Sequence, residues 1–348
     1  MKHPKDFSEF VYGSGTIKME DEFAFISKIS PKQTHQPSLI CGIGDDAAVY
    51  RGAPNLDEVV CVDTMVEGIH FRRDTLTPFQ IGKKGLAINV SDVAAMGAVP
   101  AFYLVSIAIP PTWTEEELGE VFKGMDEIAK QHNMDLIGGD TVSIKESLVL
   151  TVTVIGRVEK GRGLYRSSAK AGDLIFITGA VGSSAAGLDL LFEKGLNGDF
   201  NEKEQILVKS HQEPLPHVAE GRMLAYSQKR IALNDVSDGV ASEANEIAEA
   251  SQVKMIIEAD KLPIHEAMNA YPLEKRLKWA LFGGEDFVLI GTVPKEEAVE
   301  LADQFQTQGH LFKIIGFVEA GPASVYIKQD DELKKLKKHG YNHFQKRG

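Results

Sequence analysis

The sequence predicts an α/β (α+β) chain made of two domains, each mixing strands and helices. Three observations carry this. Strand-length apolar runs alternate with longer amphipathic segments along the chain, which suits neither a helix bundle nor a β-sandwich. The 348 residues, 43% hydrophobic and 25% charged, exceed what one hydrophobic core ordinarily serves. The stretch 158–172, VEKGRGLYRSSAKAG, gathers glycine, serine and cations between two β-like runs, as a connector does.

In chain order, the apolar runs EVVCVD at 58–63 and FYLVSIAI at 102–109 predict strands, and SLVLTVTVIGR at 147–157 predicts a longer one. DLIFIT at 173–178, VKMIIE at 253–258 and DFVLIGT at 286–292 predict three more. The amphipathic stretches 78–96, 114–132, 182–195, 216–228, 239–251 and 294–308 predict helices between them. The domains are expected at about 1–160 and 161–348. There is no low-complexity segment and no repeat of solenoid period.

The net charge of −12 argues against nonspecific binding to nucleic acid or acidic membranes. Cys41 and Cys61 both sit in apolar stretches, and two cysteines build neither a disulfide framework nor a zinc site. No run approaches a membrane span, and MKHPKDFSEF lacks the apolar core of a signal peptide, so a soluble cytoplasmic protein is expected.

The acidic turns are the informative feature. Gly44-Asp45-Asp46, Asp63-Thr64, Asn89 with Ser91-Asp92, Gly138-Gly139-Asp140-Thr141, Asp235-Val236-Ser237-Asp238-Gly239 and Gly283-Gly284-Glu285-Asp286 all lie at or near element ends. One Gly-Asp alone is a turn signal. Six together suggest convergence, with small residues leaving room for a phosphate. Hard divalent cations take carboxylate oxygens, and Mg²⁺ bridges one or two of them to substrate phosphates. Carboxylates crowded without cations would repel one another. The phosphate-binding P-loop, the protein-kinase motifs and the EF-hand loop are all missing. Gly179-Ala180-Val181-Gly182-Ser183-Ser184 reads either as a phosphate-type turn or as tight strand-to-helix packing. The residues themselves thus point to Mg²⁺-dependent phosphate chemistry.

Taken in order with Thr64-Met65-Val66-Glu67-Gly68-Ile69-His70-Phe71, Val93-Ala94-Ala95-Met96-Gly97-Ala98, Phe287 and the tail Gly340-Tyr341-Asn342-His343-Phe344, these motifs resemble the thiamine-monophosphate kinase family over nearly the whole chain. The resemblance implies the two-domain aminoimidazole-ribonucleotide synthetase-like fold, with mixed sheets flanked by helices. It implies a homodimer paired through the N-terminal domains, ATP as co-substrate, several Mg²⁺ ions and thiamine monophosphate as acceptor. It implies direct in-line transfer of the γ-phosphoryl group without a phosphoenzyme. Carried over by motif, Asp46, Asp63, Asp92, Asp140, Asp235 and Asp238 form the expected Mg²⁺ set, with Asp45 assisting and Asp63 and Asp238 bridging ions. Phe122, Gly139, Asp140, Arg166 and Ser237 are the expected ATP contacts. His70, Glu285, Asp286 and Tyr341 are expected around the acceptor. No general base is assigned, because the attacking oxygen is already an oxyanion. Cys61 and Val62 stand where relatives often carry hydroxyl residues, so neither side chain is expected to bind metal. A selenophosphate synthetase would need a reactive residue near Tyr12-Gly13-Ser14-Gly15, and a hydrogenase-maturation relative a cysteine-bearing tail; neither is present.

Overall fold

The structure, a computed structural model, describes residues 28–41, 49–330 and 332–338. Asp45, Asp46 and Tyr341 lie outside the described residues. Two sheets organise the rest. A short antiparallel pair, β1 (Leu39–Cys41) and β2 (Val49–Tyr50), precedes them.

The first sheet holds β3 (Leu56–Val66), β4 (Val99–Ile109), β5 (Asp135–Ser143) and β6 (Val149–Glu159) in the order β3-β6-β4-β5. Its pairings are antiparallel except β4 with β5. Helices α1 (Pro78–Ala95) and α2 (Glu115–His132) each start on a threonine capping box, Thr77 with Gln80 and Thr114 with Glu117, which satisfies the first free N–H groups. They cover one face of the sheet. Val90, Val93, Leu118 and Met125 from the helices bury against Leu150, Val152 and Val154 of β6. The other face is covered in part, where Phe102 and Ile155 pack with Leu39 and Tyr50 of the β1–β2 pair, and open along β3, where Val60 and Val62 are 63% and 58% exposed. The period-2 alternation of a strand decides which residues face which way. On β3, Cys61, Asp63 and Met65 share the helix-facing side, and Val60, Val62 and Thr64 the open side.

The second sheet runs β13-β12-β9-β11-β7-β10-β8, from β7 (Asp173–Ile177), β8 (Ala232–Asp235), β9 (Lys254–Glu258), β10 (Leu289–Pro294), β11 (Lys313–Glu319), β12 (Ser324–Gln329) and β13 (Glu332–Leu336). Only β12 with β9 is parallel. The flanking helices are α3 (Ser183–Lys194), α4 (Glu202–Gln212), α5 (Val218–Tyr226), α6 (Val240–Ser251), α7 (Leu273–Phe282) and α8 (Ala298–Thr307). One core cluster joins the two halves: Val90 and Ala94 of α1 share it with Leu224 and Ala225 of α5 and with Phe176, Leu233 and Leu289 of the second sheet. Helix α1 is therefore packed from both sides, and β8, an edge strand, lies against it. No helix among the described residues is long and apolar enough to cross a membrane.

Candidate active site

Where α1 meets β3 and β8, three carboxylates gather. Asp63 comes from the helix-facing side of β3, Asp92 from the last turns of α1, and Asp235 from the C-terminal end of β8. Ser91 Oγ donates to Asp235 Oδ2 at 2.7 Å and so fixes the third carboxylate against the helix. Their electrostatics are those of like charges forced together. Burial, then the neighbouring charges of Asp235 and Asp63, pushes Asp92 up to about 8. Burial lifts Asp235 to about 6, against the opposing effects of the Ser91 hydrogen bond and the Arg166 charge. Burial also raises Asp63, although its hydrogen bond with Asp92 and the His70 charge work the other way. Cys61 packs beneath, with Sγ donating to the Asn89 carbonyl at 3.2 Å; burial and the two acids raise its thiol far above the usual range.

Arg166 closes one side. Its Nε donates to Asn234 Oδ1 at 2.9 Å, and its guanidinium pairs with Glu246 at 3.2 Å. Behind it lies Glu243, which no motif singles out. Glu243 accepts the Asp238 N–H at 3.0 Å, the Ser237 hydroxyl at 3.3 Å and the Asn234 amide. One buried carboxyl thus holds both ends of the turn 234–238 and, through Asn234, the arginine. Gly239 follows at φ +100, where a Cβ would lie 2.8 Å from the Gly283 carbonyl oxygen, so only glycine fits between this turn and the next.

The two other described residues of the expected metal set come from different places. Asp238 sits three residues beyond Asp235, in the turn that Glu243 holds. Asp140 is on β5, the opposite edge of the first sheet from β3. It registers with Ser106, which registers with Thr151, whose Oγ1 lies 2.9 Å from Thr64 Oγ1 on the open face. Edge and face both separate Asp140 from Asp63 within the chain. Gly139 beside it registers with Val105, and a Cβ there would fall 1.9 Å from the Val105 carbonyl oxygen; strand packing alone demands that glycine. Phe122 is buried in the core of the first half, a packing position on α2.

His70, in the turn after β3, accepts the Val66 N–H at Nδ1 at 3.0 Å. A neutral ring in that pose carries its proton on Nε2. Its charge would act on both Asp63 and Glu285, which sets it between the carboxylate group and the loop 283–287. The two acids of that loop are used differently. Asp286 accepts the N–H groups of Gly182 at 2.6 Å and Ser184 at 3.1 Å, with burial lifting it to about 7. The glycine-serine turn that reads as a phosphate cradle is therefore occupied by the chain's own carboxylate at the start of α3. Asp286, expected around the acceptor, is held here against the start of α3. Glu285 instead pairs with Lys84 Nζ at 2.9 Å.

The donor set fits a hard cation: the ligands are oxygens, crowded and short of positive charge. Among the described residues no three histidine, cysteine, aspartate or glutamate side chains form a ready metal cage. Mg²⁺ does not require one, because it keeps waters and takes one or two carboxylates with substrate phosphates.

Residues 44–158 match the family model described as AIR synthase related protein, N-terminal domain, and residues 170–328 its C-terminal counterpart. The chain is 49% identical over 326 residues to the thiamine-monophosphate kinase of Bacillus subtilis (strain 168), covering 93% of this chain and 99% of that one. The crystal structure of thiamine-monophosphate kinase from Stenotrophomonas maltophilia K279a superposes with a TM-score of 0.81 at 32% identity, covering 90% of this chain and 98% of that one. AaThiL complexed with AMPPCP and TMP superposes with a TM-score of 0.72 at 30% identity, covering 87% and 92%.

Proposed function

As a member of the thiamine-monophosphate kinase family, to which this chain belongs, the protein is one for which we propose ATP-dependent phosphorylation of thiamine monophosphate. An oxygen of the acceptor's phosphate attacks the γ-phosphorus of ATP, the bond to the bridging oxygen breaks, and thiamine diphosphate and ADP leave. The observation that carries this reading is the group of half-buried Asp63 and Asp92 with buried Asp235 at the junction of the two halves, in a chain related to such a kinase over 93% of its length.

Phosphoryl transfer asks for positioning and charge neutralisation more than for covalent help. Asp63, Asp92, Asp235 and Asp238 would hold Mg²⁺, which when bound neutralises the phosphate oxygens of donor and acceptor. Arg166, aimed by Asn234 and Glu246, supplies a planar cation for the donor phosphates, with Ser237 and Gly139 beside them. His70 and Glu285 hold the acceptor. Within this reading, residues 1–160 bind nucleotide and metal and residues 161–348 complete the site, in the cytoplasm.

The protein acts as a homodimer joined through the open face of the first sheet. Val60 and Val62 project from that face, and Asp140 lies on it at the edge away from Asp63. A second copy is what would return Asp140 to the reaction. Purified protein given ATP, Mg²⁺ and thiamine monophosphate should yield ADP and thiamine diphosphate one for one. Free thiamine should be a poor acceptor, since it lacks the attacking phosphate oxygen. Comparable turnover of free thiamine, or ADP formed without any acceptor, would overturn the reading.

A further inference from the structure

Lys84 is an unusual residue for its place. It stands in the middle of α1, its side chain is fully buried, and nothing in the reaction as described uses it. A buried ammonium is costly unless paired and hydrogen-bonded, so its partners define its purpose. Nζ donates to Glu285 Oε2 at 2.9 Å and to the His211 carbonyl at 3.2 Å. It therefore reaches out of the first half of the chain to an acid in the second, 201 positions away in sequence.

The His211 ring lies alongside, its Nδ1 3.3 Å from Glu285 Oε2 and within hydrogen-bond distance of Ser184 Oγ at 3.2 Å. Burial and the Lys84 charge hold His211 down to about 3, so the ring is neutral and adds no second charge to the pair. The Lys84 hydrogen bond thus falls on Oε2. Burial is the largest single influence and would lift the Glu285 carboxyl, but the Lys84 charge and hydrogen bond, together with the neighbouring His211 and His70, outweigh it and hold the group below the usual range. The backbone adds a further constraint: Glu285 has φ +68, a conformation rare for a side chain of this size. Its N–H donates to the Ser237 carbonyl at 2.7 Å, tying the acid to the turn beside Asp235.

We propose that Lys84 is a positioning residue for the acceptor: held at its base by the His211 carbonyl, it clamps one oxygen of Glu285, so that the carboxylate is aimed from a buried base rather than waving on a loop. This rests on the reading of Glu285 as an acceptor contact. A plain staple between the two halves would also use an ion pair, but would show itself only in stability. A residue that aims Glu285 shows itself in acceptor binding alone.

The test is steady-state kinetics on Lys84→Gln, Glu285→Gln and the double variant Lys84→Met/Glu285→Gln, with thermal unfolding of each. Lys84→Gln should raise KM for thiamine monophosphate about tenfold, the loss of one charge-assisted hydrogen bond, and leave KM for ATP within about twofold. The double variant should match Glu285→Gln in acceptor KM, because Lys84 has nothing left to aim. A further rise in the double variant overturns the inference. Should Lys84→Gln not accumulate folded, Lys84→Arg, whose longer forked cation would displace the Glu285 carboxylate, takes its place under the same readings. A normal acceptor KM in folded Lys84→Gln with a lowered Tm reduces Lys84 to a staple and overturns the inference. An equal rise in both KM values overturns it as well. An unchanged acceptor KM in Glu285→Gln overturns both this inference and the acceptor role of Glu285. A raised value there beside a normal Lys84→Gln overturns this inference alone.

Discussion

Replacing Asp92 by asparagine should make the metal-free protein more stable and the enzyme nearly inactive. The side chain keeps its shape and loses the charge that Asp63 and Asp235 oppose. Asp92 is lifted from 3.8 to about 8, which bounds its penalty in the ionised, metal-free fold at about 5–6 kcal/mol. Partial exposure to water and the titration shared with Asp63 reduce what a substitution recovers to ~1–2 kcal/mol, or about 2–5 °C in Tm. The sign depends on pH in a defined way. Below about pH 4 the carboxyl carries its proton folded or unfolded, and the substitution changes little. Between about 4 and 8 the unfolded chain ionises while the fold retains the proton, so wild type loses stability progressively. Above about 8 the penalty is complete. The advantage of Asp92→Asn in EDTA should therefore be absent at pH 4, grow towards pH 8 and then level off. With saturating Mg²⁺ and ATP the order should reverse, since wild type gains a ligand that the variant holds poorly. Turnover should fall by about two orders of magnitude, the loss of one preorganised electrostatic contact. The assay is a pH series of thermal melts in EDTA, beside initial rates across a Mg²⁺ titration. A variant that melted earlier than wild type in EDTA at pH 8, yet kept substantial turnover at ordinary Mg²⁺, would make Asp92 a structural residue and refute the reasoning.

Two more expectations follow from the same geometry. Glu243→Ala leaves the Ser237–Asp238 turn and the Asn234 amide without their acceptor, so kcat should drop about tenfold, with Arg166 no longer aimed; unchanged initial rates in a folded variant would contradict this. Gly239→Ala forces a side chain into φ +100 and against the Gly283 carbonyl, which should cost about 2–4 kcal/mol in denaturant unfolding, and a midpoint equal to wild type would show that the two turns part easily.

Much of the fold is legible in the sequence because its longest elements carry strong patterns. Helix α1, predicted over 78–96, spans Pro78–Ala95, and the strand predicted at 102–109 spans Val99–Ile109. What escaped was short or disguised. β8 has four residues, too few for a period to show. β5 contains Gly138-Gly139-Asp140, which reads as a turn, yet the glycine is there because a neighbouring strand comes too close for a Cβ. Helix α4, EKEQILVKSHQ, is polar over most of its length and offers little apolar stripe. The site divides the same way. Residue type and motif order identify Asp63, Asp92 and Asp235 as candidates, and the structure brings them together. Sequence does not tell which groups hold the other carboxylates. Asp286 is held by a helix start about a hundred positions earlier, and Glu285 by Lys84 across both halves. Such pairings depend on tertiary contact alone.

Helix α1 has a consequence as a measuring rod. Lys84 and Asp92 are eight residues apart on it, and at 1.5 Å of rise per residue the two stations stand ~12 Å apart along the axis. One station holds Glu285 and the other stands in the carboxylate group. The spacing between them is thus set by a rigid rod rather than by loops. Inserting a single residue between the stations would swing one of them by about 100° around the rod and lengthen the gap. A change in the length of the surrounding loops would leave that spacing untouched.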